Sequence, residues 1–493
     1  MKISHVEVLH TRIYLIKNVF AFLLTLLLVL TPSLAADEKD EKSGKDVHAD
    51  DNHSRLSDVP IPLQLDDFPG RTPPLFEWPN RFLGNGNLSK GFQLPTGAVW
   101  QPYLVVFGNY RSGLQHFNTS RDNSISEWAN NLDLFANLYL TFTERILIGF
   151  QPLQQDGGFT GFNFNSANQG FQDRTNFNIT TLFFEGDFGE LFPFLDKHDS
   201  KHWDIGFSVG RQLLNFQEGL LINDIVDAVG VTSVNLKLPS TINTRVTLLY
   251  GWNQLNRTAT PGSNFEDDLA SMTALFTETD WQKSTVAFDA IYVNGDSTAG
   301  DGLYYGIDAV QRMGHFNTSF RLVGSQPIGV ETDYNSSGLV LFGEVSKTPI
   351  GTHNHLYLNG YWGINKFRSA ARSPAAGGAL GRTGILYSAV GLGQFGSALN
   401  NFADDSFGAA LGYQMFFSHN RKQLILEAGS RYATNISGQR ATAFGARFQT
   451  AIRQRFILAL DGFSAYDYSN SASQFSTTSN FQFGSRLEFQ VKL

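Results

Sequence analysis

The chain has 493 residues, of which 42% are hydrophobic, 13% aromatic and 17% charged; 43 are Phe and none is Cys. Without cysteine, disulfide frameworks, Cys-ligated zinc, iron–sulfur clusters and thiol catalysis are excluded, and so much apolar content excludes wholesale disorder. A net charge of −8 argues against a protein built to wrap nucleic acid.

Residues 1–35 read as a secretory signal. Lys2, Arg12 and Lys17 form a basic start, and Val19 to Leu30 is apolar apart from Thr25. Pro32 breaks the segment, and Ser33-Leu34-Ala35 supplies small residues at cleavage spacing. The apolar run is short for a spanning helix, which needs about 20 residues. Removal of residues 1–35 takes away three bases and one acid and leaves a net charge of −10. Residues 36–59 are an acidic tail without an apolar face, expected to be disordered; His48 and His53 belong to it and are not read as metal ligands. Residues 60–101 form a Pro/Gly-rich periplasmic lead-in, and Gly84-Asn85-Gly86 lacks the ending of a phosphate loop.

From residue 102 to 493 the apolar positions recur every second residue. Leu132, Leu134 and Leu138 oppose Asn131, Asp133 and Asn137; Val246, Leu248, Tyr250 and Trp252 oppose Arg245, Thr247 and Asn253. Phe444, Ala446 and Phe448 face away from Arg447 and Gln449. This is the period of a sheet with one apolar face. Many runs are longer than the five or six residues of a globular strand and suit a tilted bilayer crossing of about 9–11. Tight turns at 143–145, 280–282, 313–315, 418–422 and 453–455 alternate with long Gly/Asn/Ser segments such as 154–174, 255–268 and 295–302. The pattern predicts an all-β, transmembrane, antiparallel up-and-down barrel of about 18 strands (16–18), with short periplasmic turns and long extracellular loops. Within this count the fifth and sixth strands fall near 203–216 and 231–239, and 366–406 is one long outside loop. Trp128, Trp203, Trp252, Trp281 and Trp362 fall near strand ends, as interfacial girdles require.

In a barrel the polar parity points into the lumen. That parity assigns Arg245, Arg321, Arg431, Arg447, Arg453 and Arg486 to the pore lining, with Asp133, Asp289, Glu344, Glu427, Asp461 and Glu488. The arginines read either as a ladder for anionic solutes or as partners of the nearby carboxylates. Arg211 shares parity with Ile205, Phe207 and Val209, so a bulge or an end-of-strand position must explain it. In 154–174, Phe159, Phe162, Phe164 and Phe171 read as loop-ordering anchors rather than a sugar platform. Loop 366–406 carries Arg368, Arg372 and Arg382 and is long enough to fold back into the mouth. His353 and His355 lack a third ligand nearby in sequence, so neither a metal nor a cofactor is expected, and no spacing supports a catalytic set.

At the end of the chain Phe481, Phe483, Leu487, Phe489, Val491 and Leu493 alternate with polar residues. This resembles the C-terminal strand of bacterial outer-membrane proteins, which implies recognition by the barrel-assembly machinery; Leu493 departs from the usual final Phe. Gly210-Arg211-Gln212, Leu213-Leu214-Asn215-Phe216 and Gly219-Leu220-Leu221 with Asp227-Ala228-Val229 are similar to a strand-loop stretch of the alginate-export family, whose barrels have 18 strands, as do OprD-like channels. The resemblance implies a porin of the bacterial outer membrane, passing small hydrophilic or anionic saccharide-like solutes passively. A structural or partner-binding barrel without an open pore is the alternative, with an outer-membrane hydrolase behind it. The sequence is compatible with a monomer or a homotrimer.

Overall fold

The computed structural model describes residues 72–79, 90–118, 124–165, 169–195, 203–260, 263–435, 438–469 and 480–493, all within the compact unit Pro69–Leu493. The signal and the acidic tail lie outside the described residues. The barrel opens with β1 (Tyr103–Asn118), β2 (Ser124–Tyr139), β3 (Arg145–Phe150), β4 (Ile179–Asp187), β5 (Ile205–Phe216), β6 (Ile222–Leu236), β7 (Asn243–Trp252), β8 (Ser271–Asp280) and β9 (Ser284–Asn294). It continues with β10 (Asp301–Met313), β11 (Phe316–Ile328), β12 (Gly338–Lys347), β13 (His355–Asn365), β14 (Ser406–Phe417), β15 (Lys422–Ala433), β16 (Arg440–Ile452), β17 (Phe456–Asp467) and β18 (Phe481–Lys492). Each strand pairs antiparallel with the next, and β18 pairs with β1, so eighteen strands close on themselves. Among the described residues no helix is long and apolar enough to cross a membrane.

Closure follows from the cost of unpaired backbone. In hydrocarbon an orphaned N–H or C=O costs several kcal/mol, so a spanning sheet has no tolerable edge. The seam runs from Phe483 opposite Asn118 to Lys492 opposite Asn109, and Gly108 and Leu493 exchange backbone bonds just below it. Where the C-terminal strand ends, the lead-in takes over its place: Phe76–Trp78 pairs with Leu104–Val106 of β1, and Thr72 Oγ1 donates to Gln454 O (2.8 Å).

The outward face is apolar along cross-strand rows. Leu460, Leu487, Leu114 and Trp128 stand directly opposite one another across β17, β18, β1 and β2, and all four are exposed. The row crosses the closure without a polar interruption, which is what a lipid-facing belt demands. Arg211 keeps the outward parity of exposed Val209 and Leu213. It lies in the middle of β5, not at its end, at the last residue of β5 that pairs with β4, and its guanidinium pairs with Asp227 across the hairpin (3.4 Å).

Two features depart from the sequence expectation. First, the long outside loop expected between the fifth and sixth strands is a tight hairpin, with a single 3-10 turn at Gln217–Gly219. The upper part of β6 was hidden because its apolar residues Ile222, Val226 and Ala228 are buried inside the lumen, while its outward positions include Asn223 and Asp227. Second, the lumen is not uniformly polar. Leu249, Met272, Ile291, Val293 and Tyr304 point inward and form a buried cluster with Leu221, Ala370 and Ala371. Each fully buried aliphatic side chain contributes about 1.5–3 kcal/mol, and the partners that bury them are inward-folded loops.

The belt gives a direct expectation. Leu487→Arg should cost about 2–4 kcal/mol if it sits near the bilayer midplane, less toward either rim. Denaturant unfolding in lipid vesicles measures it.

Candidate constriction of the lumen

Three segments from the long-loop end fold into the barrel. The hairpin β5–β6 bends inward so far that Gln217 Nε2 donates to Asp289 Oδ2 on β9 (2.8 Å) and Glu218 approaches Arg321 on β11 (3.8 Å). Gly210 carries φ +126°, and a Cβ there would collide with the Leu182 carbonyl, so glycine is required where the hairpin leaves the wall. A second hairpin, Leu255–Thr260 with Ser263–Asp267, sends Leu255, Arg257 and Ala259 into the interior. The third segment is 366–405, which has almost no regular structure yet buries Phe367, Leu380, Leu386, Leu392 and Leu399.

Segment 366–405 touches the wall at successive stations. Ala370 N donates to Leu221 O (2.8 Å) and Asn223 N to Ala371 O (3.0 Å), docking it on the β5–β6 tip. On β15, the Glu427 carboxylate accepts from Ile385 N (3.0 Å) and Leu386 N (3.0 Å), and Tyr357 donates to it as well. Gly384 has φ +53°, and any Cβ would meet that carboxylate. Arg431 Nη1 donates to Asn400 O (2.9 Å), Phe402 O (2.5 Å) and Tyr361 Oη (2.6 Å). Arg111 on β1 donates to Val390 O (3.2 Å) and Gly391 O (3.1 Å), and Glu127 on β2 accepts from Gln394 N (2.5 Å). A segment without a strand ladder must find other partners for its backbone, and its own turns, the inward hairpins and wall side chains together supply them.

The charged groups sort onto two walls. On the seam side Arg447, Asp461, Arg486, Glu488 and Arg111 form one continuous chain of ion pairs across β16, β17, β18 and β1. Three guanidiniums share two carboxylates, so the chain carries a surplus positive charge. Opposite it, Arg321 is surrounded by Glu344 (3.2 Å), Asp308 (3.7 Å) and Glu218 (3.8 Å), with Asp289 nearby on β9. There the acids are in excess.

The twelve residues selected by parity therefore divide by role. Arg447, Asp461, Arg486 and Glu488 come together on the seam wall, and Arg321, Glu344 and Asp289 on the acidic wall. Arg431 and Glu427 are buried and hold segment 366–405 rather than lining open space. Asp133 accepts from Gln151 (2.8 Å) and Asn131, and Arg245 pairs with Glu278 (2.5 Å) in an exposed position remote from that segment. Arg453 is a correction: it occupies the tight turn after β16 with φ +54°, and its carbonyl accepts from Arg421 (2.5 Å). Sequence reasoning passed over Arg111, although its alternation with Tyr110 and Ser112 was legible, and over Glu218 and Asp308. Arg368 and Arg372 are both buried. Arg368 pairs with Asp404 (2.7 Å), while burial pushes the Arg372 guanidinium down to about 10, with Arg382 acting the same way and Asp224 opposing. Phe159 packs on Leu392 and Ala129. Among the described residues no cluster of His, Asp or Glu could hold a metal ion.

No protein-family model and no curated protein matches the sequence. Solved structures do. OccK5 (OpdH) of Pseudomonas aeruginosa superposes with a TM-score of 0.52 at 11% identity, covering 79% of this chain and 98% of that one. OpdK of the same organism, crystallised with vanillate, gives 0.50 at 12% identity, covering 79% and 98%. OccAB2 of Acinetobacter baumannii gives 0.50 at 9% identity with the same coverage. The fold is that of outer-membrane channels. The eighteen strands of this barrel agree with the count read from the sequence, and these neighbours share its fold. The closed barrel and its apolar belt belong in the outer membrane.

The anchoring of segment 366–405 is testable. Glu427→Ala leaves the Ile385 and Leu386 N–H groups unpaired, at about 1–3 kcal/mol for each buried donor. Faster hydrogen exchange at residues 380–392, with the barrel intact, is the expected result.

Proposed function

We propose that the protein is a passive outer-membrane porin whose passage is set by segment 366–405 and the β5–β6 tip, and that it favours small anionic solutes, saccharide-like acids among them. The observation that carries this reading is the arginine surplus on the seam wall. Arg111, Arg447 and Arg486 lie side by side at the station where segment 366–405 approaches β1. Guanidiniums stay charged and present rigid forks of donors matched to carboxylates. Their sharing of Asp461 and Glu488 keeps each site weak, which lets a solute move on. The acidic wall opposite attracts cations instead, so selectivity rests on a balance of two fields. The fold of the neighbours supports a channel role over an enzymatic one. The C-terminal strand fits a signal read by the barrel-assembly machinery.

Segment 366–405 crosses the lumen with many anchors, and that same observation favours a sealed barrel as the second reading. Bilayer conductance separates the two, since a sealed barrel gives no unitary current. With a porin, Arg447→Glu should move the reversal potential in a salt gradient toward cations. Shortening 374–400 should raise unitary conductance several-fold. A silent wild type together with a silent shortened variant would remove the channel reading.

A further inference from the structure

Arg257 belongs to neither charged wall. It lies on the inward hairpin strand Leu255–Thr260 and is fully buried, as are Leu255 and Tyr304. Its Nη2 donates to Tyr304 Oη (2.5 Å), and the guanidinium carbon stands 5.8 Å from the Tyr304 ring centroid. Tyr304 in turn donates to Asn335 Oδ1 (3.1 Å), so the phenol is spent. Nε and Nη1 of Arg257 find no acceptor among the described residues.

No carboxylate among the described residues pairs with this guanidinium. Arg257 takes part in none of the ion pairs among the described residues. The buried carboxylates in the neighbourhood are committed to backbone donors. Asp267 accepts from Leu269 N (3.2 Å) and Asp296 N (3.0 Å), and Asp224 from Asn256 N (2.9 Å). Arg368 brings a second cation toward Tyr304, its own charge already matched by Asp404. A guanidinium cannot shed its proton to relieve burial, and an unpaired buried charge costs several kcal/mol. Two unmet sets of donors on a buried, permanently charged group call for a counter-ion.

We infer that Arg257 anchors a binding site for a small monovalent anion of halide size. The bound anion ties hairpin 255–267 to β10 and to the loop that carries Asn335. A small ion follows from the surroundings: Leu255 and the Tyr304 ring are apolar neighbours in the buried cluster, and the Tyr304 hydroxyl and Asn335 amide already pair with each other, which leaves the guanidinium as the polar group free to hold it. The site is structural and does not depend on whether the barrel conducts.

Crystals of the full chain grown in sodium bromide test it directly. An anomalous peak within hydrogen-bond reach of Arg257 is expected; bromide found only on the surface, or nowhere, overturns the inference. Thermal unfolding of the detergent-solubilised protein gives a second measure. Replacing gluconate with chloride should raise the melting temperature by about 2–4 °C, as a ligand bound only to the folded state does. Arg257→Met should abolish that increment, and an unchanged increment in this variant overturns the site. Should Arg257→Met fail to assemble, Tyr304→Phe retains the guanidinium, and its bromide peak should persist.

Discussion

A backbone taken out of water must find partners for every N–H and C=O, and this structure meets that demand in two ways. The wall meets it by closing, strand against strand, until β18 returns to β1. Segment 366–405 cannot, because it has no neighbouring strand of its own. It is satisfied partly by its own turns and by the backbone of the inward hairpins, and partly by wall side chains: Glu427 accepts its amides, and Arg431 and Arg111 donate to its carbonyls. Lumenal charge is thereby turned into architecture.

This changes the meaning of an arginine that points inward. Arg431 is as inward as Arg447, yet it is buried under Asn400 and Phe402 and serves the loop. Arg111 does both, sharing Glu488 while gripping Val390 and Gly391. The seam wall is consequently basic at the place where the loop approaches it. A substitution of Arg111 changes the charge of that wall and also removes two anchors of the loop.

The upper lumen shows the complementary effect of packing. Leu249, Ile291 and Val293 occupy parity positions that would face water in an unobstructed barrel, but Leu221, Ala370 and Ala371 cover them. Because these loops bury apolar surface as well as charge, the long-loop end has a core of its own. Arg257 lies within it, with two donor nitrogens unpartnered among the described residues. The lead-in makes a smaller contribution at the other end, where Phe76–Trp78 extends the pairing of β1 beyond Leu493.

Alternation determined the barrel and the inward parity of Arg447, Asp461, Arg486 and Glu488, because the side-chain period of a strand is two and lipid tolerates only one of its faces; with the sequence of short turns and long loops it brought the strand number to about 18. It failed at the top of β6, where the apolar positions serve the interior rather than the bilayer, and at Arg453, where a turn ends the periodicity. Tertiary structure alone decided which arginines hold segment 366–405 and which stay within the ion-pair chain of the seam wall. Those partners are backbone atoms far away in sequence, such as Phe402 O for Arg431, and a backbone carbonyl leaves no mark in the identity of its residue.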